Sequence, residues 1–178
     1  GKCVDTSMGF TPLAGVPMGT RSGDIDVAAI DFLCHKKGMT MDEGLNYLNK
    51  KCGMFGVSGI SSDFRDLTAA SEKGDYRATL ALNMFAYSCK KYVGAYMAAL
   101  GGLDCIVFTA GVGENTPTVR KAVLSNMEAF GIILDDEKNA QKNDGKIHEI
   151  SAKDSKVKVL VIPTNEELVI ARETAALL

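Results

Sequence analysis

Two stretches of this chain join an apolar run to a polar turn and then to a helix-forming run, and both turns carry residues suited to holding an anion. In the first, Asp104 to Ala110 leads into Gly111-Val112-Gly113-Glu114-Asn115 and then Thr116-Pro117, a favourable N-cap and first helical residue. In the second, Lys156 to Ile162 leads into Pro163-Thr164-Asn165-Glu166-Glu167 and a helix to the C-terminus. Parallel strands of one sheet deliver such turns to the same edge, where backbone N–H groups and helix dipoles favour negative charge. Gly111 and Gly113 permit close backbone approach to a ligand, with Glu114 and Asn115 adding polar atoms. A turn that needs glycine only to return the chain has the same shape. Thr164 to Glu167 matches a capping box in which Glu167 folds back to Thr164, leaving Glu166 without a structural duty. A free carboxylate beside a phosphate suits magnesium, which keeps several waters and takes few protein ligands. Complementing a helix dipole is the plainer role for Glu166.

Arg21 sits in Met18-Gly19-Thr20-Arg21-Ser22-Gly23-Asp24, between glycines that let a loop carry a guanidinium into a cleft. Arginine binds planar carboxylate and phosphoryl oxygens bidentately; an ion pair with Asp24 or Asp26 is the alternative. In Ser61-Ser62-Asp63-Phe64-Arg65-Asp66 the plain reading is helix capping plus a salt bridge, while Asp63 could also accept from ribose hydroxyls and Arg65 lie against a base. His35 has no second ligand or nucleophile at a useful spacing and reads as a helix-end residue. No Ser-His-Asp or Cys-His arrangement can be assembled. The P-loop pattern is absent, and Gly111-Val112-Gly113 lacks the third glycine of the dinucleotide fingerprint.

The elements that must position these residues follow from periodicity and caps. Lys2 to Thr11 reads as extended, and Gly1 to Val4 as the turn and strand of a hairpin whose first arm is missing. A Gly- and Pro-containing loop follows, then a helix capped by Asp24 and a second from Thr40 to Gly53. Gly53 to Gly59 reads as a glycine-punctuated stretch. A helix follows Asp63 to about Ser71, and a long one runs from Tyr76 to Leu100, with an apolar stripe for the core or a subunit interface. The two later strands lack polar alternation, so an α/β sheet covered on both faces is expected. Asp135 to Asp154 reads as a surface excursion with a short helix and an edge strand near Lys146 to Ile150.

Composition bounds the partners. With 178 residues, 46% of them apolar, one domain is the default. Twenty basic against 22 acidic residues, a net charge of −2, leave no electrostatic footprint for nucleic acid or an anionic membrane. The run from Tyr92 to Gly113 is interrupted by Gly101-Gly102 and Asp104, so it reads as a buried helix and strand rather than a membrane span. No leader pattern opens the chain, and five scattered cysteines without C-x-x-C spacing fit a reducing, cytoplasmic setting and no zinc site.

The segments VDTSMGFTPL, MGTRSGDID, SGISSDFRDL, FTAGVGEN and VIPTNEELVIARET resemble the acetate kinase family in order and spacing, over nearly the whole chain. The resemblance implies an RNase H-like, actin-like α/β fold shared with sugar kinases, heat-shock chaperones and actin. Residues 1–178 would then be the C-terminal nucleotide-binding domain, lacking its first strands. It implies reversible Mg²⁺- or Mn²⁺-dependent transfer of the γ-phosphoryl group of ATP to acetate, ADP being the other product, in a homodimer. By position, Arg21 matches the transition-state arginine and Glu166 the magnesium glutamate. Asp63-Phe64-Arg65 and Gly111-Val112-Gly113-Glu114-Asn115 match the ATP-contacting segments, and the four loops are expected to converge on one cleft. The family's acetate-binding arginine, catalytic aspartate, transition-state histidine and magnesium asparagine have no counterpart here, so the piece alone is expected to be inactive. Propionate or butyrate kinase, and a noncatalytic nucleotide-binding or dimerisation module, are the alternatives.

Overall fold

The computed structural model describes residues 2–177 and divides the chain into two compact units, Gly1–Gly102 and Leu103–Leu178, where the sequence reads as one domain. The division follows Gly101 and Gly102, at φ of 72° and 150°, conformations that end a helix and that glycine adopts without strain. The hairpin turn expected at Gly1 lies outside the described residues, and Lys2 to Thr11 forms no regular strand.

The first unit is helical: α1 (Val27–Lys37), α2 (Met41–Lys50), α3 (Gly53–Ser58), α4 (Phe64–Glu72) and α5 (Tyr76–Leu100). α1 is capped by Asp26, whose Oδ1 accepts from Ala28 N–H at 2.8 Å, and not by Asp24 as the sequence suggests. α2 opens on a capping box, with Thr40 N–H donating to Glu43 Oε2 at 2.8 Å, and stops at Lys50, before Gly53. α5 has the bounds its periodicity predicts and starts at Asp75, which accepts from Ala78 N–H. It packs on α3 and α4, with Ala78 and Ala81 fully buried on α5 and Phe64 edge-on to Phe85 at 4.7 Å.

Helix α3 was not foreseen. Its N-terminal N–H groups lack partners within so short a helix, and carbonyls of the Arg21 loop supply them: Met54 N–H donates to Met18 O and Phe55 N–H to Gly19 O, both at 2.9 Å. Gly53 makes this contact possible. Its φ is +59°, and a Cβ placed there would lie 2.1 Å from Met18 O and 2.5 Å from Arg21 O.

The second unit holds β1 (Cys105–Phe108), α6 (Ala110–Asn115), α7 (Pro117–Leu124), α8 (Asp136–Asn139), β2 (His148–Glu149), β3 (Lys158–Val161) and α9 (Glu166–Ala175). The sheet order is β1-β3-β2, with β1 parallel to β3 from Cys105↔Lys158 to Phe108↔Val161 and β2 antiparallel as the expected edge strand. Val159 and Val161 are buried with Ile132, Ile150 and Val123. β1 departs from the expectation of cover on both faces, because it lies at the sheet edge with Val107 48% exposed. Among the described residues no helix is long and apolar enough to cross a membrane, and the Tyr92 to Gly113 run splits into the end of α5, a glycine turn, β1 and the start of α6.

Gly53→Ala is expected to destabilise the protein by about 2–4 kcal/mol, combining a left-handed φ with a backbone clash. Denaturant unfolding of the variant measures it.

Candidate functional site

The loop carrying Arg21 is fixed through its backbone. Besides the two bonds from α3, Thr20 O accepts from Cys52 N–H at 3.0 Å, Ser22 N–H donates to Leu48 O at 3.0 Å, and Thr20 Oγ1 donates to Asn49 O at 2.9 Å. Met18 N–H closes the turn on Arg21 O at 3.1 Å. The half-buried Arg21 side chain donates from Nη1 to the Met18 sulfur at 3.4 Å and pairs with no carboxylate among the described residues. The two acids nearest in sequence are committed elsewhere: Asp26 caps α1, and Asp24 accepts from Gly15 N–H and the Tyr92 hydroxyl. The ion-pair alternative for Arg21 is therefore not what forms, and its guanidinium keeps its donors for an anion.

Close backbone approach brings the second candidate segment beside this loop, since a Cβ on Gly19 would lie 3.1 Å from Ser62 O. Asp63 caps α4 by accepting from Arg65 N–H at 2.8 Å, and pairs with the Arg65 guanidinium, Nη2 to Oδ2, at 2.6 Å. The Arg65 side chain and its N–H hold the Asp63 carboxyl down at about 2. Capping plus salt bridge, the plain reading, is thus realised, while Arg65 stays exposed. Phe64 is 9% exposed, so its ring belongs to the core. His35 contacts Asp31 within α1, as a helix-end residue does.

In the second unit the parallel β1–β3 pair places its two turns side by side around a cleft of ≈ 410 Å³. Gly111 and Glu114 line it from α6, a short helix where the sequence suggests a turn, and Thr164 and Asn165 line it from the turn after β3, with Glu166 and Glu167 at the start of α9. The Thr164–Glu167 capping box is not formed. Asn165 is the N-cap, accepting from Leu168 N–H at 3.0 Å, and Thr164 N–H donates instead to Glu114 Oε1 at 2.8 Å. The Thr164 hydroxyl accepts from Ala110 N–H at 3.0 Å and bonds Thr109 Oγ1 at 2.6 Å, holding Ala110 at φ 58°. Glu114, which also accepts from Asn143 Nδ2 at 3.1 Å, serves as a brace between the turns, and the Thr164 N–H holds its carboxyl below the usual range. Gly113 sits against Phe108, whereas Gly111 is open. Val112 is half-buried, and Asn115 Nδ2 donates back to Gly111 O at 3.0 Å.

Arg120 escaped the sequence reading. It is 2% exposed, and its guanidinium donates to Gly113 O (2.8 Å), Glu114 O (3.0 Å), Asn139 Oδ1 (2.8 Å) and Asn139 O (2.7 Å). It therefore satisfies the last carbonyls of α6, a long-range duty that no local spacing marks. Desolvation pulls its pKa down from the usual arginine value.

Among the described residues no group of three or more His, Cys, Asp or Glu gathers as a metal cage. Glu166, exposed and without a side-chain partner among the described residues, fits magnesium or manganese bound mainly by phosphate and water with a single carboxylate.

Solved structures share this fold. An acetate kinase from Porphyromonas gingivalis superposes with a TM-score of 0.90 at 48% identity, covering 96% of this chain and 42% of that one. A propionate kinase from Francisella tularensis gives 0.87 at 41% identity, covering 95% and 42%. A family model described as Acetokinase family matches residues 1–172. The chain belongs to the acetokinase family. Proteins named acetate kinase from Caldicellulosiruptor saccharolyticus and Acetivibrio thermocellus are 56% and 58% identical over 178 and 177 residues. The chain spans 45% and 44% of their lengths, less than half.

The carboxylates of Asp24, Asp63 and Glu114 titrate below their ordinary values, so the folded chain binds fewer protons than the unfolded one. Their contribution is complete above about pH 4.5 and is lost as pH falls through the folded values, down to about 2 for Asp63. Thermal unfolding between pH 5 and 2 should show a falling midpoint, with a shallower fall in Glu114→Gln.

Proposed function

We propose that this chain is the C-terminal, nucleotide-binding part of an acetate kinase, and that the intact enzyme transfers the γ-phosphoryl group of ATP to acetate, giving acetyl phosphate and ADP. The observation that carries the reading is 56% identity across all 178 residues to a protein of that name. The uncommitted guanidinium of Arg21 and the paired turns around Glu166 support it.

Acetate, with a pKa far below 7, arrives ionised, so no general base is needed. A carboxylate oxygen forms the new bond to phosphorus as the bond to the β–γ bridging oxygen breaks and its electron pair leaves with ADP. No proton changes hands. The obstacle is the meeting of two anions, and positioning with charge neutralisation carries the rate. Arg21 donates to the equatorial oxygens of the migrating group from a loop that needs no rearrangement. Glu166 would hold Mg²⁺ (or Mn²⁺), which supplies further positive charge at the phosphates. Gly111 to Asn115 lies along the nucleotide, with Glu114 bracing this segment to Thr164. Asp63, Phe64 through its backbone, and Arg65 serve the ribose and base. The exposed face of α5 that carries Leu80 and Tyr87 is the surface for homodimerisation. A cytoplasmic setting suits these substrates. The piece alone, short of the acyl site, is inactive.

The similarity to a propionate kinase favours a second reading, in which a longer acid is the acceptor.

Arg21→Ala in the intact enzyme should lower kcat about 10³-fold or more while leaving the KM for ATP nearly unchanged; unaltered turnover refutes the role. The same enzyme assayed on acetate, propionate and butyrate separates the two readings, the larger kcat/KM naming the acceptor.

A further inference from the structure

Arg21 lies in a loop whose neck is clasped in both directions. Asp24 N–H donates to Gly15 O at 2.8 Å, and Gly15 N–H donates back to Asp24 Oδ1 at 2.8 Å. The neck is tight, since a Cβ on Gly23 would sit 2.5 Å from Gly15 O. The second oxygen of the same carboxylate accepts from the Tyr92 hydroxyl, 68 residues away on α5. α5 is itself seated on α3 and α4, and α3 donates two hydrogen bonds to the other arm of the loop. The loop is thus held at Met18 and Gly19 by α3 and at Asp24 by α5, with Arg21 between the two anchors.

The clasp also settles the charge around Arg21. Asp24 is three residues from Arg21 and is one of the two carboxylates nearest to it in sequence. Its two oxygens are occupied by Gly15 N–H and Tyr92 O–H, and Arg21 pairs with no carboxylate among the described residues. The Tyr92 hydrogen bond, then that of Gly15, holds the Asp24 carboxyl below its usual range, and Asp24 in turn raises the Tyr92 phenol to about 12. At neutral pH the pair is therefore a carboxylate accepting from a neutral phenol. A charge-assisted bond of this kind is stronger than one between neutral groups.

From this geometry we infer that Asp24 and Tyr92 are positioning residues for Arg21: they fix the base of its loop and keep the neighbouring carboxylate from neutralising the guanidinium. Neither touches the reacting atoms. The inference rests on the transition-state role given to Arg21 above and extends it to a residue on a distant helix that no motif marks.

The test uses the intact enzyme with Tyr92→Phe, which removes one hydroxyl and keeps the ring, alongside Arg21→Ala and the double variant. The expected result is a kcat about tenfold lower for Tyr92→Phe, a KM for ATP within about twofold of the parent, and no further loss when Tyr92→Phe is added to Arg21→Ala. A thermal midpoint near that of the parent assigns the loss to positioning rather than folding. Undiminished kcat in Tyr92→Phe beside a crippled Arg21→Ala overturns this inference alone. So does a loss that multiplies fully on top of Arg21→Ala, or one that follows only a fall in the folded fraction. Full turnover in Arg21→Ala removes the reading of Arg21, and the inference with it.

Discussion

Three backbone hydrogen bonds, from Cys52, Met54 and Phe55 N–H to the carbonyls of Thr20, Met18 and Gly19, are the constraint on which the first unit depends. They give α3 the acceptors that its own first turn cannot supply, and they fix the loop that presents Arg21. Gly53 is the one residue at the junction with no Cβ to collide with Met18 O and Arg21 O. A side chain there would separate helix from loop. A rigid loop matters because an arginine that stabilises a passing charge contributes most when nothing has to reorganise as the charge develops.

The second unit solves a comparable problem with strand register. Pairing Phe108 with Val161 brings Thr109 level with the segment entering Thr164, so one threonine hydroxyl and one glutamate join the two turns. Arg120 then gathers the far end of α6, making two of its four guanidinium hydrogen bonds there where a lysine would offer one point charge. What these contacts leave over is as informative as what they use. Glu166 and Glu167, in the first turn of α9, are left without a side-chain partner among the described residues, next to Glu114, which has two.

Much of this was legible along the sequence. The long helix α5 announced itself by three- and four-residue spacing from Tyr76 to Leu100, and Thr40 marked the start of α2, because caps and amphipathic stripes are local. The parallel strand-turn-helix units followed from apolar runs without polar alternation. Misreadings fell where a distant partner decides the outcome. The stretch from Gly53 to Gly59 looked like a broken loop, because its helix is held by carbonyls more than thirty residues earlier. Glu167 was assigned to a cap whose N–H is taken by Glu114, 50 residues away. Asp24 looked like a helix cap because its bonds to Gly15 and Tyr92 cannot be seen from spacing. The family resemblance named Arg21 and Glu166, but only the contacts show what each neighbouring carboxylate is doing instead.

The account turns on Arg21 being held ready and unpaired. A crystal structure of the intact enzyme with ADP, magnesium and a planar anion in place of the transferring phosphoryl group tests it most directly. The prediction is that Arg21 Nη or Nε atoms lie about 2.7–3.2 Å from that anion while Asp24 stays on Gly15 and Tyr92. An Arg21 turned onto Asp24 or Asp26, with the anion held by other groups, would contradict it.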